Sequence, residues 1–455
     1  MFRLIFILIL TLSQPIFSQS KTDRFSASMK MEMMDKVKEA TRHAWQGYKQ
    51  FAWGADDLKP LTKEPGTWYK TSLLMTPVDA FDTFIILGLT NESEEAKNLI
   101  LTKLDFNIDQ EVQVFEITIR LLAGLLTAYE KDGNPRFLTL AKDLGDRLMP
   151  AFNSTTGMPY RYVNLVTGKT RDGNNNPAEI GTLMMEFGTL SKLTGDLRYY
   201  NAAKKGMMQV YNRRSKIGLV GEVIDINSGK WLRTDSHISG YIDSYYEYLF
   251  KSWKLFGDKD FKKAWDSAYS AIKKYLIVNT PHGAFCTHVD MNTGKETASL
   301  YGALDAFIAG LIGYSGDLQT AAAIQKANYY MWTVHNMEPE EFDFRSGKVT
   351  DNSYSLRPEN LESCFYLYRL TKNDRYLFEG KRMVTDIITN CRTETGFASL
   401  KSVTTFEKRN SMESFLFGET LKYSYLIFAP ESALDLQKVV LTTEAHPLLI
   451  KTPGK

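Results

Sequence analysis

Cysteine is scarce in this chain. Cys286, Cys364 and Cys391 are the only three among 455 residues, too few for a disulfide scaffold and spaced in no zinc pattern. Cys364 and Cys391 fall in apolar helical stretches and read as core residues rather than a redox pair. Histidine is equally thin, with six scattered residues and no cluster of metal-ligand spacing; His288 and His335 read as surface or core side chains. Charge of one sign is missing too: the net formal charge is +2, which gives no reason to expect nucleic acid or an acidic polymer as partner. There is no Gly-rich phosphate loop and no Gly-x-Ser-x-Gly elbow. Beyond the first twenty or so residues no apolar run is long enough to span a bilayer.

What is present starts at the N-terminus. Arg3 precedes an almost purely apolar stretch from Leu4 to Leu12, followed by Pro15 and Ile16-Phe17-Ser18. That is the layout of a secretory signal peptide spanning residues 1–18, leaving 19–455 as a single domain with no membrane anchor. Hydrophobic residues at 44% with 24% charged residues describe a soluble globular protein. At this length the choice lies between two ordinary domains and one large toroid.

A recurring turn decides between them. Asp132-Gly133-Asn134, Gly195-Asp196, Gly257-Asp258, Gly316-Asp317 and Asn373-Asp374 punctuate helical stretches at intervals of 62, 62, 59 and 57 residues. A period near sixty, each unit holding two helices, is a helical-hairpin array. Periodicity and caps place fourteen helices at 30–53, 77–89, 92–104, 112–130, 135–149, 178–194, 197–212, 240–256, 259–275, 299–314, 317–334, 358–371, 374–391 and 411–428. In 112–130 apolar residues cover most sides, whereas 197–212 is more polar. The first helix of each pair therefore belongs to an inner ring and the second to an outer one. The long links between pairs all emerge at one end, where a site is expected.

Acids occupy that end of the inner helices. Glu116 sits between Phe115 and Ile117 with Arg120 one turn on; Glu179, Asp243, Glu247, Glu359, Glu362, Glu413 and Glu419 occupy comparable positions. Any one of them is explained by capping or an i, i+4 pair. Five acid-bearing helices around one ring are not, because buried like charges are costly unless they bind something. Carboxylates interleaved with aromatics suit polyol binding and sugar hydrolysis.

The ordered blocks Ala44-Trp-Gln-Gly-Tyr48, Val78-Asp-Ala-Phe-Asp-Thr83, Val114-Phe-Glu-Ile-Thr-Ile-Arg120, Asp243-Ser-Tyr-Tyr-Glu-Tyr-Leu249, Leu356-Arg-Pro-Glu-Asn-Leu-Glu-Ser363, Met412-Glu-Ser-Phe415 with Gly418-Glu419, and Thr443-Glu-Ala-His-Pro447 resemble glycoside hydrolase family forty-seven, the class I α-mannosidases. The resemblance implies an all-α (α/α)7 barrel with small β elements in the loops and at the C-terminus. It implies a Ca²⁺-dependent, inverting enzyme that removes terminal α-1,2-linked mannose from high-mannose or mannan-type oligosaccharides as a monomer. By position Glu116, Asp243 and Glu359 match the catalytic carboxylates, with Glu359 the base and the donor either Glu116 or Asp243. Arg120, Glu179, Arg357, Glu362, Phe415, Glu419 and Glu444 match sugar-contacting positions, and Thr443 the calcium ligand. At a helix N-terminus beside Arg357, Glu359 is expected to be ionised at neutral pH. Two departures stand out. Tyr241 replaces an Arg of the Golgi and ER processing enzymes, and Ala303-Leu-Asp-Ala-Phe307 is closer to the ER degradation-enhancing mannosidase-like branch. The alternative is a lectin-like protein of this fold that binds mannose glycans without turnover. No retention tetrapeptide follows Gly454-Lys455, so a periplasmic or secreted protein is expected rather than a resident of the ER lumen.

Overall fold

The computed structural model describes residues 24–450 apart from residue 335; the expected signal peptide and His335 lie outside the described residues. Fourteen helices are found among them. They are α1 Ala27–Phe51, α2 Met75–Leu87, α3 Thr90–Lys103, α4 114–132, α5 Pro135–Leu148, α6 177–194, α7 Leu197–Asn212, α8 Asp243–Phe256, α9 Lys259–Tyr275, α10 304–315, α11 Leu318–Val334, α12 Glu359–Thr371, α13 Arg375–Cys391 and α14 416–426. Pairing follows the order α2/α3, α4/α5, α6/α7, α8/α9, α10/α11 and α12/α13, and α1 packs on α14 to close the ring. This is the expected (α/α)7 barrel.

The Gly-Asp turns work by division of labour. Gly133, Gly195, Gly257 and Gly316 stop one helix in the left-handed region, at φ of 80°, 78°, 70° and 112°, where a Cβ would be strained. The next residue starts the following helix: Asp196 Oδ1 accepts from Arg198 N–H at 3.0 Å and Asp258 Oδ1 from Asp260 N–H at 3.0 Å. In the last such turn Lys372 takes the left-handed position at φ 57°, and Asn373 Oδ1 accepts from Arg375 N–H at 3.0 Å. Inner helices are apolar nearly all round. Every residue from Phe307 to Gly313 in α10 is buried, whereas α5 buries a single stripe of Phe137, Leu140, Ala141, Leu144, Gly145 and Leu148.

Boundaries moved where tertiary pairing intervenes. The tenth helix was expected from 299, but Leu300–Tyr301 pair with Phe342 and Asp343 as a strand, and α10 begins only at 304. The last inner helix was expected from 411 and starts at 416, so Glu413 precedes it and accepts a hydrogen bond from the Ser411 hydroxyl. Among the described residues seven small antiparallel sheets decorate the loops. The last is a hairpin of Val439–Leu441 with Pro447–Leu449. Its turn, 442–446, is held by inner helices: His446 contacts Asp82 Oδ1 at 3.1 Å, and Lys422 Nζ donates to Ala445 O at 2.8 Å. All three cysteines are buried and unpaired with one another. No helix among the described residues is long and apolar enough to cross a membrane.

Candidate active site

The N-terminal ends of the inner helices converge on a cavity of about 370 Å³, within the range of small-molecule sites. Every site residue expected from the sequence lines it: Glu116, Asp243, Glu359, Arg120, Glu179, Arg357, Glu362, Phe415, Glu419, Glu444 and Thr443. Three of the loops that deliver them contain a non-glycine residue in the left-handed region, namely Tyr241 at φ 74°, Leu356 at φ 61° and Ala445 at φ 58°. Such conformations persist only where surrounding contacts impose them. Both Arg120 and Glu419 lie on i→i+5 stretches, Thr118–Leu122 and Leu416–Thr420, which widen the helix at the cavity wall.

Two arginines organise the acids. Arg120 Nε donates to Glu116 Oε2 at 3.0 Å and its Nη1 to Glu444 Oε2 at 2.5 Å, with Asp79 Oδ2 at 3.8 Å. Arg357 Nε is 2.9 Å from Glu340 Oε2, while its Nη1 stands 3.7 Å from Glu359 Oε1. The Phe415 ring lies between the two guanidiniums, 5.6 Å from that of Arg120 and 6.0 Å from that of Arg357, which fixes one aromatic face at the cavity. Glu179 is clamped by both nitrogens of the Arg161 fork, at 2.9 and 2.7 Å, and accepts from Gln113 Nε2 at 3.1 Å.

Burial sets the proton chemistry. Asp243 accepts from Ser244 N–H at 2.6 Å, yet burial pushes its carboxyl up to about 7. Glu362 is likewise pushed up to about 7 by burial, with the buried Lys251 opposing, and Glu419 is raised well above the carboxylate range. Glu359 departs from expectation. Burial pushes it up to about 8, and Arg357 opposes this only in part, because that guanidinium spends its close contacts on Glu340. One carboxylate oxygen, Glu359 Oε2, is buried with no hydrogen-bond partner. An N-terminal position and one nearby Arg oppose this shift without cancelling it.

The sequence profile of glycosyl hydrolase family 47 matches residues 40–450. The chain belongs to glycosyl hydrolase family 47. Among its relatives, a mannosyl-oligosaccharide 1,2-alpha-mannosidase of Arabidopsis thaliana is 35% identical over 91% of this chain and 78% of its own length. ER degradation-enhancing alpha-mannosidase-like protein 1 of Schizosaccharomyces pombe is 32% identical over 91% of this chain and 56% of its own. The solved alpha-1,2-mannosidase from Trichoderma reesei superposes with a TM-score of 0.86 at 28% identity, covering 92% of this chain and 99% of that one.

Within this family-47 site, sequence reasoning marked Glu247 by its i, i+4 spacing to Asp243 but missed the groups that act through others. Glu247 lines the cavity and is tied to the buried Lys251, which also lies 3.5 Å from Glu362. Arg161 and Glu340 sit in loops far from their partners in sequence, and no local pattern marks them.

Proposed function

We propose that this protein is an exported, inverting glycosidase that removes terminal α-1,2-linked mannose from high-mannose or mannan-type oligosaccharides and works with Ca²⁺, in the periplasm or outside the cell. The observation that carries the reading is the arrangement of Glu116, Asp243 and Glu359 on three different inner helices around one cavity. Carboxylates on separate walls leave room for a water between base and sugar, as single displacement requires. A family-47 profile over nearly the whole chain and relatives named as 1,2-alpha-mannosidases support the substrate class. At the rim stands Tyr241, 47% exposed, so sugars beyond the cleaved mannose meet an aromatic side chain rather than a guanidinium.

The residues present suit a hard cation. Among the described residues neither the hydroxyl nor the carbonyl oxygen of Thr443 has a hydrogen-bond partner, while its N–H donates to the Tyr248 hydroxyl at 3.2 Å. That hydroxyl in turn donates to Glu186 Oε1 at 2.6 Å. Two free oxygens in a cavity also lined by buried acids, among them Glu359 with its unpartnered Oε2, are the kind of hard donors Ca²⁺ selects. When bound, the ion would polarise the hydroxyls of the mannose ring and favour its distortion. Phe415 presents a face to the sugar, and Glu359 takes a proton from the attacking water. Asp243, protonated up to about neutrality, gives one to the glycosidic oxygen as the bond breaks.

Two outcomes follow. Chelation should abolish release of mannose from a defined high-mannose glycan, followed by mass, and added calcium should restore it. Thr443→Ala should raise the calcium concentration needed; full activity in excess chelator would remove the metal from the proposal. Glycan binding without release would favour the lectin-like alternative. The second outcome concerns pH. A donor with a pKa of about 7 is competent below that value, so kcat/KM should fall as pH rises through it. If Asp243→Asn leaves that limb in place in the residual activity and Glu116→Gln removes it, Glu116 is the donor instead.

A further inference from the structure

Away from the cavity, three strands bring together residues that the sequence scatters. Asp235–Ser236 lies in the link between α7 and α8, and His288–Asp290 and Glu296–Ala298 lie in the link between α9 and α10. They form one sheet in which Val289 pairs with Ser236 and Asp290 with Asp235. Asp235 and His237 are two residues apart and so project to one face. The antiparallel register sets His288 opposite His237, and their rings stack with centroids 4.2 Å apart.

The ligand atoms of Asp235, His237 and His288 all lie within 4.8 Å of one another. His288 Nδ1 is 3.0 Å from Asp235 Oδ2, and His237 Nε2 is 3.9 Å from the same oxygen. Around an ion with bonds of about 2.0–2.2 Å, neighbouring tetrahedral ligands stand about 3.4 Å apart, so the widest pair must close by at most about 1.4 Å and the His288–Asp235 pair open slightly. The carboxylate is also held from behind, as metal-ligating carboxylates are: the Thr297 hydroxyl donates to Asp235 Oδ1 at 2.5 Å. His237 is 4% exposed, and among the described residues its Nε2 makes no hydrogen bond.

The geometry points to a transition-metal site in this sheet, of the zinc, nickel or copper class, ligated by Asp235, His237 and His288 with its remaining positions open to water. Two imidazoles and one carboxylate select such ions over calcium, so the site is chemically separate from the cavity and does not depend on the hydrolytic reading. Protonation of either imidazole competes with metal there. His237 Nδ1 accepts from Ser239 N–H at 3.2 Å, which leaves the ring proton on Nε2. Loading the ion through Nε2 shifts that proton to Nδ1 and turns the Ser239 amide aside. Ser239 O in turn accepts from Asp243 N–H at 3.0 Å, so displacing that amide would reach the strap that leads to the cavity wall at Gly240 and Tyr241.

The test uses the full, untagged, calcium-loaded protein titrated with Zn²⁺ by calorimetry and with Cu²⁺ followed by electron paramagnetic resonance. One equivalent of Zn²⁺ should bind, and from about pH 7.5 to about pH 5.5 its affinity should fall by about tenfold or more. The Cu²⁺ spectrum should carry superhyperfine splitting from two nitrogens. His237→Gln and His288→Gln should each weaken zinc binding by about tenfold or more. Absence of stoichiometric zinc binding, a one-nitrogen copper spectrum, or zinc affinity unchanged in both variants would overturn the assignment. The wild-type spectrum decides even if a variant fails to fold.

Discussion

Glu359→Gln should lower turnover by about 10²–10⁴-fold while the glycan still binds. The amide keeps the size and hydrogen bonding of the carboxylate but cannot take a proton from water. The native side chain has an oxygen, Oε2, that no protein group satisfies, and burial holds the carboxyl up to about 8. A cation close by is what would bring it into the ionised form a base needs, so the loss of activity on chelation and in Glu359→Gln should share an origin. The companion measurement is proton NMR in the first minutes of reaction, before mutarotation. Base and donor on opposing walls, expected ~6.5–9.5 Å apart, deliver water to the face opposite the leaving oxygen. The first product should therefore be β-mannose. An initial α-mannose signal would remove both the inverting chemistry and the role given to Glu359.

Arg120→Met should be the most destabilising single change at the site. Arg120 is 7% exposed and reaches Glu116 at 3.0 Å, Glu444 at 2.5 Å and Asp79 at 3.8 Å. Burial alone would lower its pKa, yet Glu444, Glu116 and Asp79 outweigh that and hold it firmly charged. Methionine has similar bulk but leaves those acids facing one another without a counter-charge, and removing one partner of a buried ion pair costs about 3–5 kcal/mol. Thermal melting should show a clear drop in midpoint, and calcium binding should weaken because Glu444 adjoins Thr443 on the hairpin turn. The variant should recover part of its stability as pH falls, since Glu444, already raised by burial, can then protonate. A midpoint equal to that of the native protein at every pH would contradict this account of the network.

Much of this was legible in the sequence because it is local or periodic. The Gly-Asp turns mark helix ends through backbone chemistry that acts within three or four residues, and Gly195 with Asp196 behaves in the fold as that chemistry requires. The nearly all-round apolar character of 112–130 marked an inner helix because only a helix enclosed on every side tolerates it, and α10 proved to be of the same kind. The carboxylates stood out for the converse reason: Glu116 and Glu359 are costly in such helices unless they face a cavity. The tertiary structure alone decided what depends on contacts between distant segments. Leu300–Tyr301 became a strand because Phe342 and Asp343 offered a pairing edge. Arg161 and Glu340 became clamps on Glu179 and Arg357 because long loops fold back over the ring. His237 met His288 only through the register of two strands, each from a different link. Glu359 is raised above its expected range because desolvation depends on everything packed around a carboxyl, and its neighbours in sequence are a small part of that shell.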